Sequence, residues 1–130
     1  MNKIDTLIAY LFAIQAFAKD IHYSASSEAF YSKHLLADEI YKGIDEQIDA
    51  LIETCILPYE TPKAITEYWE IAREEVGRKA ESFERLKYII EKALQHIEII
   101  AAATSGERSL LDSIAQDLQR KLGLITRQVA

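Results

Sequence analysis

Two of the three histidines in the chain, His22 and His34, stand in one stretch that also carries Asp38, Asp49 and Glu53. Imidazole nitrogen and carboxylate oxygen together suit divalent iron, manganese or zinc, and a mixed set of this kind leaves positions open for water or an oxidant. A closed structural zinc site is not indicated, because such sites usually draw on cysteines and the chain has only Cys55. His34 and Asp38 are four residues apart, as are Asp49 and Glu53, so each pair shares one face of a helix.

The elements that must position these groups are read from hydrophobic period. Ile4, Leu7, Ile8, Leu11, Ile14, Ala18 and Ile21 recur at helical steps and predict a first helix from about Ile4 to Tyr23. The "SASS" run at Ser24 to Ser27 breaks it, and its serines suit the N-cap of a second helix that starts near Ser27 or Glu28. The stripe Leu36, Ile40, Ile44, Ile48, Leu51 and Cys55 carries that helix unbroken to Cys55. Pro58 and Pro62 mark a connector, with a short helix from Lys63 to about Val76. Gly77 is a possible bend, and a helix from about Arg78 to Ala103 follows. "TSGE" at Thr104 to Glu107 reads as a stop and restart with Gly106 in a left-handed cap. The last helix is expected over Ser109 to Arg127, with Leu110, Leu111, Ile114, Leu118, Leu122 and Ile125 apolar. No strand pattern competes, so the expected architecture is one all-α domain over residues 1–130, a four-helix bundle with a short extra helix between the second and third long ones.

On an unbroken second helix, with His34 as zero, Asp38 falls at about 40°, Asp49 at about 60° and Glu53 at about 100°, all beside the apolar stripe. Rise separates them: His34 and Asp49 are about 22 Å apart along the axis, too far to share an ion. The helix therefore carries two half-sites. Both the pair His34/Glu53 and the pair Asp38/Asp49 share one midpoint, between Gly43 and Ile44. Two copies packed antiparallel about a two-fold axis there bring the His34/Asp38 end of each against the Asp49/Glu53 end of the other. Lys42 and Asp45 are candidates to pair across that axis. His22, just across the serine turn, can approach the same end as His34.

Composition narrows the function classes. The chain has 130 residues, 49% of them hydrophobic and 28% charged, with 4 Gly and 2 Pro, the profile of an ordinary soluble domain. Fifteen Lys and Arg against 21 Asp and Glu give a net charge of −6 with no basic block at either end, which is poor equipment for gripping phosphates. Direct DNA binding is therefore not expected. A lone cysteine fits a reducing compartment, and the polar residues Asp5, Gln15, Lys19 and Asp20 in the first helix argue against a signal peptide or a membrane span. Of the remaining residues, His96 reads as an ordinary helix residue, Cys55 as a small buried apolar one, Tyr68 and Trp69 as packing groups, and Tyr23 as core or edge.

The order and spacing of His22, His34, Asp38, Asp49 and Glu53, with Phe30 four before His34 and "LLADEIYKGIDEQID" between, resembles the ferroxidase signature of the Dps family, the miniferritins of the ferritin-like superfamily. The resemblance implies a ferritin-like bundle in which the two histidines come from one subunit and the later Asp and Glu from its two-fold mate. It further implies a hollow dodecamer that oxidises Fe(II), with hydrogen peroxide as the preferred oxidant, and stores ferric mineral. On that basis His22, His34, Asp49 and Glu53 are iron ligands, Asp38 is a nearer or outer carboxylate, and manganese or zinc are possible substitutes. The expected location is the cytoplasm, or a host cytoplasm if the chain is viral. A second class stays open: a ferritin-like bundle acting as an interaction or structural protein, such as a viral accessory protein, with the carboxylates as an inherited surface. A metal-sensing bundle without storage is a third.

Overall fold

The computed structural model describes residues 2–24, 30–76 and 82–129. Six helices lie among them: α1 (Lys3–Ser24), α2 (Phe30–Tyr41), α3 (Ile44–Cys55), α4 (Ile65–Val76), α5 (Phe83–Glu98) and α6 (Ser105–Val129). No strand occurs among the described residues. The expected all-α four-helix bundle is what forms, with α2 and α3 together making one long arm and α4 the short extra helix. The expected N-terminus of the second helix near Ser27 and Glu28, and the possible bend at Gly77, lie outside the described residues.

α1 is the centre. Leu7, Ile8, Leu11, Ile14 and Ala18 are fully buried, and α2, α3, α4 and α5 all pack on it. A helix that is apolar around most of its circumference belongs in the middle of its neighbours. α6 closes the bundle against α5, α3 and α2 through Leu111, Ile114, Leu118 and Ile125. Two buried polar groups pin the layers. The Tyr68 hydroxyl on α4 donates to Asp5 Oδ1 on α1 at 2.9 Å, and both side chains are buried. Burial, then the bond to Asp5, pushes the Tyr68 phenol far above its ordinary range.

The long second helix is not continuous. It breaks at Lys42 and Gly43, where Gly43 takes φ 83°, a conformation that favours glycine. A side chain there would meet nothing within 4 Å, so the backbone angle, not space, requires the glycine. At the break the Lys42 carbonyl accepts from Lys121 Nζ at 2.6 Å. Lys121 is fully buried, and its ammonium also pairs with Asp117 Oδ2 at 2.9 Å. Leu122, expected in the apolar stripe of the last helix, is only half-buried, and Lys121 takes the inward position instead.

Other boundaries also differ from expectation, among them the start of α5, which is Phe83 with Ser82 as its N-cap rather than Arg78. α5 stops at Glu98 rather than Ala103: Ile99 N turns back to His96 O and Ile100 N to Ile97 O, and the carbonyls just beyond the helix take distant donors, Lys3 Nζ to Ile99 O at 3.2 Å and Arg108 Nη2 to Ile100 O at 2.8 Å. Gly106 is not a left-handed cap; it lies inside the first turn of α6, which begins at Ser105. The start is set by Thr104, whose hydroxyl accepts from Glu107 N and donates to the Glu107 carboxylate, each at 3.1 Å.

Tyr68→Phe leaves Asp5 buried without its donor and is expected to cost about 1–3 kcal/mol in urea unfolding. Asp117 provides a pH prediction. Burial alone raises its carboxyl, but hydrogen bonds from Lys121 and Gln47, the Lys121 charge and Arg120 outweigh that and hold it below the usual range. A carboxyl lowered by folding stabilises fully above its unfolded value of about 4, and the contribution disappears as pH falls through the lower folded value. Asp117→Asn should therefore lower Tm at neutral pH and flatten the acid limb of a Tm-against-pH curve.

Candidate metal centre

His22 occupies the last turn of α1 and His34 the second turn of α2, both half-buried. Their rings stack, with centroids 3.6 Å apart and planes at 27°. Each ring also bonds the other's backbone: His22 Nδ1 lies 3.3 Å from His34 O, and His34 Nδ1 lies 3.1 Å from His22 O. A carbonyl oxygen only accepts, so these contacts put a proton on Nδ1 in both rings, which in a neutral imidazole leaves the Nε2 lone pair for a cation. That tautomer and a fixed ring orientation are what a metal-ligating histidine needs. Phe30, at 5.3 Å from the His34 ring, and Tyr23, edge-on at 5.4 Å from His22, wall the pair.

The carboxylates are placed differently. Asp38 follows His34 by one turn on α2 and is exposed; Asp49 and Glu53 lie one turn apart on α3 and are exposed too. Among the described residues no three histidine, cysteine, aspartate or glutamate side chains gather to hold an ion. Within one chain, then, the structure brings His22 and His34 together and leaves Asp38, Asp49 and Glu53 at the surface. The single angular stripe expected through all four residues of the second helix does not survive the break at Gly43, which resets the register between His34/Asp38 and Asp49/Glu53. The four-residue pairing inside each half does survive.

The other singled-out residues have structural roles. Tyr23 is neither core nor edge but 76% exposed. The Lys19 ammonium lies 4.0 Å from the Tyr41 ring centroid and 5.6 Å from that of Tyr23, a cation held over aromatic faces behind the histidines. His96 Nε2 meets Lys3 O at 2.8 Å and so ties the end of α5 to the start of α1. Tyr68 is buried against Phe12, and Trp69, 41% exposed, tilts against the same ring at 5.0 Å. Asp45 Oδ1 accepts from Gln15 Nε2 within the chain, so its expected pairing with Lys42 of a second copy has a competitor.

At the far end of the bundle a pocket of about 290 Å³ is lined by Cys55, Tyr59, Ile100, Glu107 and Leu111 among others. Its polar groups already serve each other, since Glu107 Oε2 accepts from both Thr104 and Tyr59. Burial, then the Glu107 charge, pushes the Cys55 thiol up to about 11, which makes it the inert buried residue expected. What sequence reasoning missed lies at the break: Lys121, Asp117, Arg120, Gln47 and Glu39. One signal was available, a lysine at the position between Leu118 and Ile125 that continues the buried stripe of α6.

Long-range ¹H–¹⁵N spectra are expected to show both His22 and His34 as Nδ1–H tautomers, whereas free neutral imidazole favours Nε2–H. An Nε2–H pattern in either ring would contradict the geometry described.

No helix among the described residues is long and apolar enough to cross a membrane. No protein-family model matches the sequence, and no curated protein matches it. Among solved structures, the crystal structure of a DPS protein from Vibrio cholerae O1, described as a member of a broad superfamily of ferritin-like diiron-carboxylate proteins, is similar with a TM-score of 0.70 and 15% identity. The match covers 98% of this chain and 87% of that one, so the ferritin-like bundle fold is shared along nearly the whole length.

Proposed function

We propose that the chain is a Dps-like ferroxidase that oxidises Fe(II) with hydrogen peroxide and retains the ferric product. The observation that carries the reading is the His22–His34 stack, each Nδ1 tied to the other's carbonyl, at one end of a ferritin-like bundle. On this reading His22 and His34 from one subunit, with Asp38 beside them, face Asp49 and Glu53 of a two-fold partner, and iron is the substrate bound between them. Imidazoles hold Fe(II) without adding charge, and the carboxylates favour the higher charge of Fe(III). Two ferrous ions each give one electron to one peroxide, whose O–O bond breaks to leave two hydroxides. Confining that reaction to a protein surface spares other molecules the radicals of free iron and peroxide.

The exposed carboxylates support a symmetric dimer through α2 and α3, because a chain that leaves Asp49 and Glu53 on its surface has a half-site to complete. A dodecameric cage is the assembly that would store mineral, in the cytoplasm, and a net charge of −6 per chain favours gathering cations over direct contact with DNA. Manganese or zinc would compete for the same ligands. The second reading, an interaction bundle without oxidation, draws on the absence of a gathered ligand set within one chain among the described residues.

Anaerobic Fe(II) followed by absorbance after hydrogen peroxide, with air in a parallel cuvette, tests the reading. Oxidation well above the protein-free rate with soluble iron is expected, and Asp49→Asn with Glu53→Gln should return it to the protein-free rate at unchanged helicity. Light scattering on the same sample separates the classes: a cage of twelve favours storage, a metal-bound dimer favours sensing, and a metal-free monomer favours the interaction protein.

A further inference from the structure

The break at Gly43 falls at the shared midpoint of the His34/Glu53 and Asp38/Asp49 pairs, where a two-fold axis would pass. His34 and Glu53 lie about 14 Å from it along their helices, so an error of about 10° in the bend moves either one by roughly 2.5 Å. A ligand set tolerates only about 0.5 Å, so the bend angle decides whether the two half-sites meet. Gly43 cannot hold that angle, having no side chain and nothing within 4 Å of where one would be.

A single turn of α6 holds it instead. Lys121 Nζ takes the Lys42 carbonyl at the break at 2.6 Å and Asp117 at 2.9 Å. From that turn, Arg120 Nη1 reaches Glu39 Oε1 on α2 at 2.9 Å, and Asp117 Oδ2 accepts from Gln47 Nε2 on α3 at 2.7 Å. The grip therefore touches the arm before the break, at it and after it. A fully buried lysine is weak evidence of a gain in stability, because replacing a buried ion pair by apolar groups of similar size is often neutral or favourable.

We propose that Lys121 is a positioning residue for the metal site: by holding the Lys42 carbonyl it fixes the angle between the His34/Asp38 and Asp49/Glu53 halves, and so whether two copies assemble a complete ligand set. This rests on the intersubunit site of the preceding subsection.

The test uses the full chain and Co(II) as the probe, with three readouts: circular dichroism, Co(II) affinity with its d–d spectrum, and the distance between nitroxides on Tyr31→Cys and Glu46→Cys in a Cys55→Ala background, labelled chains being diluted in unlabelled ones. Lys121→Met with Asp117→Leu removes the grip without stranding a charge. It is expected to keep its helicity, broaden the interspin distance, alter the Co(II) spectrum and weaken Co(II) binding by roughly tenfold or more. Arg120→Met, at the exposed rim of the same turn, is the variant to read if the double one does not fold, with a smaller change in the same direction. A folded variant with unchanged distance, spectrum and affinity overturns the proposal. Failure of the site itself looks different: the unmodified chain then takes up no Co(II) that Asp49→Asn with Glu53→Gln removes, and the positioning role falls with it.

Discussion

A carbonyl that loses its helical partner at a break must find another donor, and here the donor is the fully buried ammonium of Lys121. The arrangement is electrostatically demanding, since a buried cation needs a counter-charge and several acceptors. Asp117 supplies the charge, and Gln47 and Arg120 then satisfy the carboxylate that Lys121 leaves partly occupied. Each member therefore depends on the next. Remove the ammonium and both the Lys42 carbonyl and the Asp117 carboxylate are left short of a partner.

The bundle makes such a contact affordable by keeping it at the seam between layers. α1 fills the interior with apolar side chains and lets the remaining helices arrange around it, so α6 is free to spend one inward position on a lysine without opening the core. The same central helix carries His22 in its last turn, beside the second turn of α2. Its position in the layers is thus what brings one imidazole to the other.

Much of the fold is legible in the sequence because helical period reports burial directly: the apolar steps of α1 and α6 are written in residue type. The break at Gly43 is not, since a single glycine inside a helical pattern is often tolerated and its φ depends on what holds the neighbouring carbonyl. The early end of α5 is hidden for the same kind of reason; the carbonyls just past it, of Ile99 and Ile100, are taken by Lys3 and Arg108, distant in sequence. At the site, spacing identifies the ligand types and the four-residue pairs. It does not disclose that two imidazoles stack and exchange backbone bonds, because that geometry comes from the approach of two helix ends rather than from either helix alone.

That exchange of bonds has a consequence for how the chain can vary. Each imidazole of the His22–His34 pair is anchored by the backbone of the residue that carries the other, and each ring is also the other's stacking surface. The two positions are therefore coupled through the stack: replacing one side chain keeps the carbonyl that anchors the other ring but removes the surface that ring packs against. Substitution effects at these sites should be epistatic rather than additive. A lineage that abandons one histidine would find little to preserve the other, so the pair is expected to persist or disappear together.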